Sequence, residues 1–284
     1  MSLRTAIMHE VFNLSRKYIP GRFAWLFNRA FDILKIRINA VVQIDGIYFS
    51  IDTHNYHERG IFCFGKYEIG TRNFITNYTS SIVDGLVIDV GANIGLHSLA
   101  MAAAAKSRDV KVIAFEANPE MASKLRLNVA LNNLSNLEVY PIGLNDSEGE
   151  FELGLPYSEG EEKYHNPGIA SMVDFSRASR RVTVTCKTLD SAIVDFGFDV
   201  DSVRLIKLDA EGKEFDILCG SETVLRKSSP AIILEYNTQT FEKIRELLSR
   251  YGYQIIGSLL RYGINKEVLK ENILFLKNDS NQEI

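Results

Sequence analysis

The sequence predicts an α/β fold with a mostly parallel central sheet, and two observations carry the prediction. From residue 86 onward, apolar runs of strand length alternate with stretches of helical periodicity. The 284 residues, 46% hydrophobic and 24% charged, are also enough to bury one large core. Parallel strands need long crossover connections, which helices on both faces of the sheet supply. We therefore expect one large α/β domain with smaller additions.

The predicted elements form two series separated by an insertion. Apolar runs bounded by turn residues predict the strands, and apolar residues three and four apart predict the helices. The first series is strand 86–90, helix 94–106, strand 110–116, helix 119–132 and strand 136–142. The second is strand 203–208, helix 213–226, strand 230–236, helix 239–250, strand 252–257 and strand 272–277. The insertion, 147–190, holds a short hairpin, a polar loop and strand 182–186, and we expect it over the substrate side.

Two further segments precede the main domain, which we place at 86–278. Residues 39–85 hold a β lead-in, with a hairpin turn at Asp45-Gly46, followed by a polar and aromatic segment on the substrate side. Residues 1–38 form a helical extension. Residues 1–37 contain seven Lys and Arg and two acidic residues, a net charge of +5 that leaves −9 for the remainder. The two amphipathic helices predicted within 4–37 either pack on the domain by their aromatic faces or contact a membrane surface or a partner.

Composition and charge disfavour several classes of protein. The net charge of −4 argues against a nucleic-acid binder, which needs clustered Lys and Arg. No apolar run reaches about eighteen residues and no signal peptide is evident, so we predict no membrane span and a cytoplasmic location. The three cysteines lack the spacing of a zinc site or a disulfide framework, and the five histidines form no metal set. The oligomeric state stays open.

A glycine-containing loop follows the first strand of the domain. Asp89 ends that strand, and Gly91, Ala92, Asn93 and Gly95 come before the next helix. Residues just beyond the carboxyl ends of parallel strands bind ligands in open α/β sheets. The spacing D-x-G-x-x-x-G differs from the G-x-G-x-x-G that holds the pyrophosphate of a nicotinamide dinucleotide. It suits S-adenosylmethionine, which has no phosphate and whose ammonium and sulfonium groups attract an acidic side chain.

The next two strands also end in polar residues. Glu116 ends the second strand, where its carboxylate can accept hydrogen bonds from both ribose hydroxyls, and Ala117 and Asn118 lead into the following helix. Asn145 and Asp146 follow the third strand, where they either bond the adenine amine or form an Asx turn. The ordered set predicts a site for an adenosine-bearing cofactor.

The run Leu208-Asp209-Ala210-Glu211-Gly212 places two carboxylates at the end of a central strand. Asp209 is our first candidate for positioning the substrate that accepts the methyl group, or for removing its proton. Glu211 and His165 are the next candidates. Alternatively, Lys207 pairs with one acid and Glu211 stabilises the start of the following helix. Methyl transfer from S-adenosylmethionine requires no metal, although Asp209 and Glu211 could share a magnesium ion.

With these residues in order, the chain resembles the FkbM family of S-adenosylmethionine-dependent methyltransferases over about residues 45–277. The resemblance rests on five runs, which are Asp89 to Gly95, Phe115 to Pro119, Gly168 to Ser171, Thr188 to Asp190, and Lys207 to Gly212. It implies a Rossmann-like sheet of seven strands with an antiparallel final strand. It also implies methyl transfer, usually to a hydroxyl of a sugar, polyketide or other small metabolite.

The resemblance further implies roles for residues that match the family by position. Asp89, Gly91 and Asn93 would surround the methionine part of the cofactor. Glu116 would contact the ribose and Asp146 the adenine, while Asp209 and Glu211 would face a small-molecule or glycan acceptor. One departure is Ala117, where the family often has proline, and it makes that turn less rigid.

Three other readings compete with O-methylation. The first is an amine-directed methyltransferase. It is disfavoured because such enzymes often carry an Asn/Asp-Pro-Pro-aromatic segment at the place where this chain has Asp209 to Gly212. A nicotinamide oxidoreductase is disfavoured by the glycine spacing. A protein that binds the cofactor without turnover, docked to an assembly through residues 4–37, is the reading from outside the enzyme class.

Overall fold

The fold was described from a computed structural model that covers residues 33, 37–65, 67–156, 170–172, 175–176, 178–261, 263–267 and 269–278. His165, nearly all of the helices predicted within 4–37 and the start of the Gly168 to Ser171 loop lie outside these residues.

A β-hairpin and two helices precede the central sheet. Strands β1 (Asn39–Ile44) and β2 (Ile47–Asp52) pair antiparallel and turn at Asp45 and Gly46, which have φ angles of 48° and 84°. Two successive positive φ angles favour an Asp-Gly turn. Helices α1 (Tyr56–Phe64) and α2 (Ile69–Ser81) follow, in a segment for which the sequence predicted no helix.

Among the described residues, eight strands form the central sheet and three form a smaller one. In chain order, the remaining strands are β3 (Asp84–Val90), β4 (Asp109–Phe115), β5 (Leu137–Tyr140), β6 (Gly143–Leu144), β7 (Gly149–Pro156), β8 (Ala178–Lys187), β9 (Val203–Leu208), β10 (Ala231–Glu235), β11 (Tyr253–Leu260), β12 (Gly263–Asn265) and β13 (Asn272–Lys277). The central order is β12-β11-β13-β10-β9-β3-β4-β5, and the smaller sheet is β6-β8-β7.

The central sheet has the predicted Rossmann-like arrangement. Strands β3, β4, β5, β9 and β10 pair in parallel, whereas β13 is antiparallel to both of its neighbours, β10 and β11. The sheet has one strand more than the seven expected. The extra strand, β12, is a three-residue hairpin return that pairs with β11 at the edge.

Helices cover both faces of the sheet. The further helices are α3 (Leu96–Ala104), α4 (Pro119–Asn132), α5 (Leu189–Asp195), α6 (Glu214–Cys219), α7 (Glu222–Lys227) and α8 (Phe241–Arg250). The hairpin and α1 to α4 enclose one apolar core with alternate sheet residues such as Val87 and Leu205. Helices α5 to α8 enclose the other core with Ile88 and Ile206. The strand ends are therefore fixed from both sides.

The prediction of a single helix over 213–226 is wrong, because the chain forms the two helices α6 and α7 there. At the break, a Cβ on Gly220 would lie 2.3 Å from the carbonyl oxygen of Asn145. The carboxylate of Asp190 then accepts hydrogen bonds from the backbone amides of Thr223 and Val224, at 2.7 and 3.0 Å. A side-chain cap of this kind satisfies the free amides of a new helix start.

Candidate active site

Two cavities open at the carboxyl ends of β3, β4 and β9. The Glu116 cavity, about 550 Å³, is lined by Glu116, Ala117, Phe115, Leu144, Leu153 and Met172 among others. The acidic cavity, about 760 Å³, is lined by six acidic side chains, which are Glu58, Glu68, Asp89, Asp209, Glu211 and Glu235. Gly91, Asn93, Asp209 and Glu211 line both cavities. These shared residues form the junction between the two spaces.

The loop after β3 depends on glycine at two positions for different reasons. A Cβ on Gly91, whose φ is +74°, would lie 1.8 Å from the carbonyl oxygen of Asp209, so glycine lets β3 and β9 end side by side. A Cβ on Gly95 would instead meet the side chains of Leu125 and Leu99 at 2.1 and 2.3 Å. Gly95 therefore serves helix packing, and it does not line either cavity.

Glu116 is held by the backbone of the neighbouring turns. Its two carboxylate oxygens accept hydrogen bonds from the amides of Asn93, at 2.7 Å, and Asn118, at 2.8 Å. Burial raises the pKa of Glu116 to about 7, against these two hydrogen bonds, which lower it. The side chain is 9% exposed and lines the cavity that bears its name. Asn118 itself is buried and caps α4 through the amide of Glu120.

Asp89, Lys207 and Asp209 form a buried charge cluster between β3 and β9. The Lys207 ammonium lies 3.1 Å from Asp209 Oδ2 and 3.7 Å from Asp89 Oδ1. Burial alone would lower the pKa of Lys207, but the carboxylates of Asp209, Asp89 and Glu68 raise it above its usual range. Ser98 Oγ donates to Asp89 Oδ2 at 2.5 Å. The predicted alternative, in which Lys207 pairs with an acid, is thus what the structure contains.

The loop after β9 is braced by a residue that the sequence did not single out. Glu211 has a φ of +50° and is exposed, and it lines both cavities. The buried Glu214 accepts hydrogen bonds from the amides of Ala210, at 2.8 Å, and Gly212, at 3.3 Å. Glu214 therefore braces the loop before α6, while Glu211 lines both cavities.

Helices α1 and α2 supply the far side of the acidic cavity. Its residues here are His57, Glu58, Tyr67 and Glu68, which belong to the segment expected on the substrate side. The His57 and Tyr67 rings are 6.0 Å apart, and Asn272 Nδ2 donates to Glu68 at 2.9 Å. A usable signal was present, because Asn55 followed by Glu58 is a helix-start pattern, and Asn55 does cap α1.

Not every predicted site residue reaches a cavity. Asn145 is buried and accepts from Lys213 Nζ at 3.4 Å, while Asp146 is exposed and accepts from Ser147. Neither lines a cavity, whereas their neighbour Leu144 does. Of the insertion's described residues, Leu153, Ala170 and Met172 line the Glu116 cavity and none lines the acidic one. His97 is buried, and burial and Lys207 hold its pKa well below its usual value.

The residues present fit a positively charged, adenosine-bearing cofactor. Asp89 Oδ1 is buried and accepts no hydrogen bond from any residue that the structure describes. Six acidic side chains against Lys207 alone, in the described lining, favour a ligand with cationic groups. The apolar wall of the Glu116 cavity, with Phe115, Leu144 and Leu153, suits a flat ring. In the described part of the chain, no three His, Cys, Asp or Glu side chains are placed so that they could hold one metal ion, and no helix is long and apolar enough to cross a membrane.

Comparison with known proteins identifies the family. The methyltransferase FkbM domain matches residues 89–255, which are more than half of the chain. Methyltransferase sdnD of Sordaria araneosa is 30% identical over 155 residues, covering 47% of this chain and 59% of that protein. The 2-O-methyltransferase NoeI of Sinorhizobium fredii is 22% identical over 202 residues, covering 66% of this chain and 80% of that protein. The chain spans less than two thirds of the length of the first curated relatives that it matches.

Among solved structures, methyltransferase FkbM from Methylobacillus flagellatus matches with a TM-score of 0.44 and 15% identity. That match covers 76% of this chain and 52% of the other. The match of the FkbM domain to residues 89–255 is long enough to establish the family without the structural comparison. The chain belongs to the FkbM family of S-adenosylmethionine-dependent methyltransferases.

Proposed function

We propose that this protein transfers the methyl group of S-adenosylmethionine to a hydroxyl of a sugar or another small metabolite. One observation carries the proposal, namely that Asp209 lines both cavities. A residue at the junction can contact a donor on one side and an acceptor on the other, which methyl transfer requires. The similarity to NoeI, a 2-O-methyltransferase, supports the O-directed reaction.

We assign the adenosine part of the cofactor to the Glu116 cavity and its methionine part to the junction, where Asp89 of the acidic cavity is adjacent. Glu116 would accept the ribose hydroxyls, while Asp89, Gly91 and Asn93 would surround the methionine part. Asp89 Oδ1 supports this assignment, because this buried oxygen accepts no hydrogen bond from a described residue and the Lys207 ammonium lies 3.7 Å away. An adenine contact from Asn145 or Asp146 stays a prediction, and it would require their loop to turn inward.

When bound, the cofactor supplies a methyl group on a cationic sulfur, which an oxygen nucleophile displaces in line. The protein's part is to hold the acceptor in near-attack geometry and to receive its proton. Asp209 supports the first role, because Lys207 fixes one of its carboxylate oxygens at 3.1 Å. Glu211 lies beside it at the junction, and His165 remains a sequence-based candidate for receiving the proton.

An amine acceptor is the second candidate, and the charge of the acidic cavity favours it. The six acidic side chains can attract a cation, and they can also form hydrogen bonds with a polyol. Both acceptor classes therefore have to be tested. A scaffold without turnover is the third.

The test is a panel of neutral sugars, polyketide-like alcohols and amines incubated with methyl-labelled cofactor. We expect label in hydroxyl acceptors. Asp209→Asn should lower turnover by about 10²-fold or more and change the Kd for S-adenosylhomocysteine by less than about twofold. Label confined to amines would favour the second candidate. Tight cofactor binding without label in any acceptor would favour the scaffold.

A further inference from the structure

The acidic cavity contains an imidazole that no sequence motif includes. His57 lies in the first turn of α1, is half-buried, and lines the cavity together with Asp209. Its backbone amide donates to the Asn55 side chain at 3.0 Å, which fixes it at the helix start. The centroid of the Tyr67 ring lies 6.0 Å from that of the His57 ring. The cap and the aromatic contact together hold the imidazole in the cavity wall.

The surroundings of His57 keep it neutral at neutral pH. Burial lowers the pKa of His57 from its ordinary value, and the opposing negative charge of Asp209 offsets only part of that shift. The N-terminus of α1 acts in the same direction as burial, because a helix dipole disfavours a cation there. The other titratable or charged groups facing this cavity are Glu58, Tyr67, Glu68, Asp89, His97, Lys207, Glu211 and Glu235.

Two other candidates in the described lining, His97 and Asp209, are less suited to receive a proton. His97 is only 5% exposed, and the Lys207 ammonium disfavours a second cation beside it. Asp209 has its Oδ2 engaged by Lys207. His57 combines a neutral imidazole, access to the cavity and a carboxylate that can stabilise the charged form.

We propose that His57 receives the proton of the acceptor hydroxyl during methyl transfer, and that Asp209 stabilises the resulting imidazolium. The inference rests on the proposed function. The acceptor oxygen forms a bond to the methyl carbon while the carbon–sulfur bond breaks and the sulfur keeps the electron pair. The hydroxyl proton passes to a ring nitrogen of His57, which returns it to water after the product leaves. Atoms and charges balance without any further reactant.

The first experiment needs no acceptor. The histidines of the full chain are followed by NMR between pH 5 and 8, with S-adenosylhomocysteine bound, and His57→Gln assigns the signal. We expect the pKa of His57 to lie below its ordinary value of 6.5, and to fall further in Asp209→Asn because the charge that raises it is gone. A pKa at or above that value, or one that Asp209→Asn leaves unchanged, overturns the proposal.

The second experiment uses the panel hydroxyl acceptor with the highest turnover. His57→Gln should lower kcat by about 10²- to 10⁴-fold and remove the acidic limb of its pH profile, with the Kd for S-adenosylhomocysteine within about twofold. Added imidazole should restore part of the activity of His57→Ala, which lost packing alone would not allow. His54→Gln, outside the cavity lining, is the matched control and should keep its activity.

The two proposals fail in different ways. No methyl transfer to any hydroxyl by the wild-type protein contradicts the proposed function. Wild-type transfer that His57→Gln leaves within about threefold, with the acidic limb intact, contradicts the role of His57 alone.

Discussion

The two walls of the acidic cavity differ in how the sequence encodes them. The strand-end wall consists of Asp89 to Asn93 together with Lys207 to Glu211, and it lies within the family match at 89–255. The α1–α2 wall consists of His57, Glu58, Tyr67 and Glu68, and it precedes that match. On our proposal, the residues that bind the cofactor therefore follow strands of the sheet. The acceptor would meet Asp209 of the strand-end wall and, opposite it, a segment that lies outside the family match.

Lys207 joins the two walls, and its removal should have the largest effect on stability. Its ammonium is the cation that faces Asp89 and Asp209 on one side and Glu68 on the other. Removing one partner of a buried ion pair leaves uncompensated charge, so we expect Lys207→Met to reduce the free energy of unfolding by about 3–5 kcal/mol. Urea denaturation followed by circular dichroism measures the change.

Lys111→Met is the control for that prediction. Lys111 pairs with Glu138 at 3.3 Å, but both side chains are exposed. Exposed pairs contribute at most about 1 kcal/mol, so this variant should remain near wild-type stability. Equal losses in the two variants would show that burial of the Lys207 cluster has no special energetic weight.

A change confined to the α1–α2 wall should separate the two walls. Glu58 is 2% exposed, pairs with Lys124 of α4, and accepts from the amide of Asp52 at 2.7 Å and from Asn55 at 2.9 Å. Glu58→Gln removes the negative charge from these contacts, and we expect the free energy of unfolding to fall by about 1–3 kcal/mol. Hydrogen exchange should accelerate in 53–64 and not in β3, while the Kd for S-adenosylhomocysteine changes by less than about twofold.

The surface pair of α8 provides the matched control. Glu246→Gln removes a carboxylate from an exposed contact with Arg250 and should leave exchange in 53–64 unchanged. If Glu58→Gln instead weakened cofactor binding about tenfold, the two walls would act as one unit and the comparison would fail.

The same contrast explains which parts of the site the sequence could predict. Asp89, Glu116 and Asp209 each end a buried parallel strand, and strand ends converge wherever such a sheet forms. Helix α2 escaped prediction because its buried side is Thr71, Arg72, Ile75 and Thr79, which makes no apolar stripe. The spacing of Asn55 and Glu58 could indicate the start of α1, but the side chains of the α1–α2 wall reach the cavity through tertiary packing, which local spacing does not encode.

The smallest effect is expected from a residue that carries the family resemblance without touching either cavity. Asp190, in the Thr188 to Asp190 run, accepts hydrogen bonds from the amides of Thr223 and Val224 and so connects α5 to the start of α7. Asp190→Ala should cost about 1 kcal/mol, as loss of a helix cap does. Cofactor affinity should not change, because α7 faces the core opposite the hairpin. Asp195→Ala, at the exposed end of α5, is the control for helix surface charge. Loss of cofactor binding by Asp190→Ala at unchanged stability would mean that this motif belongs to the strand-end wall.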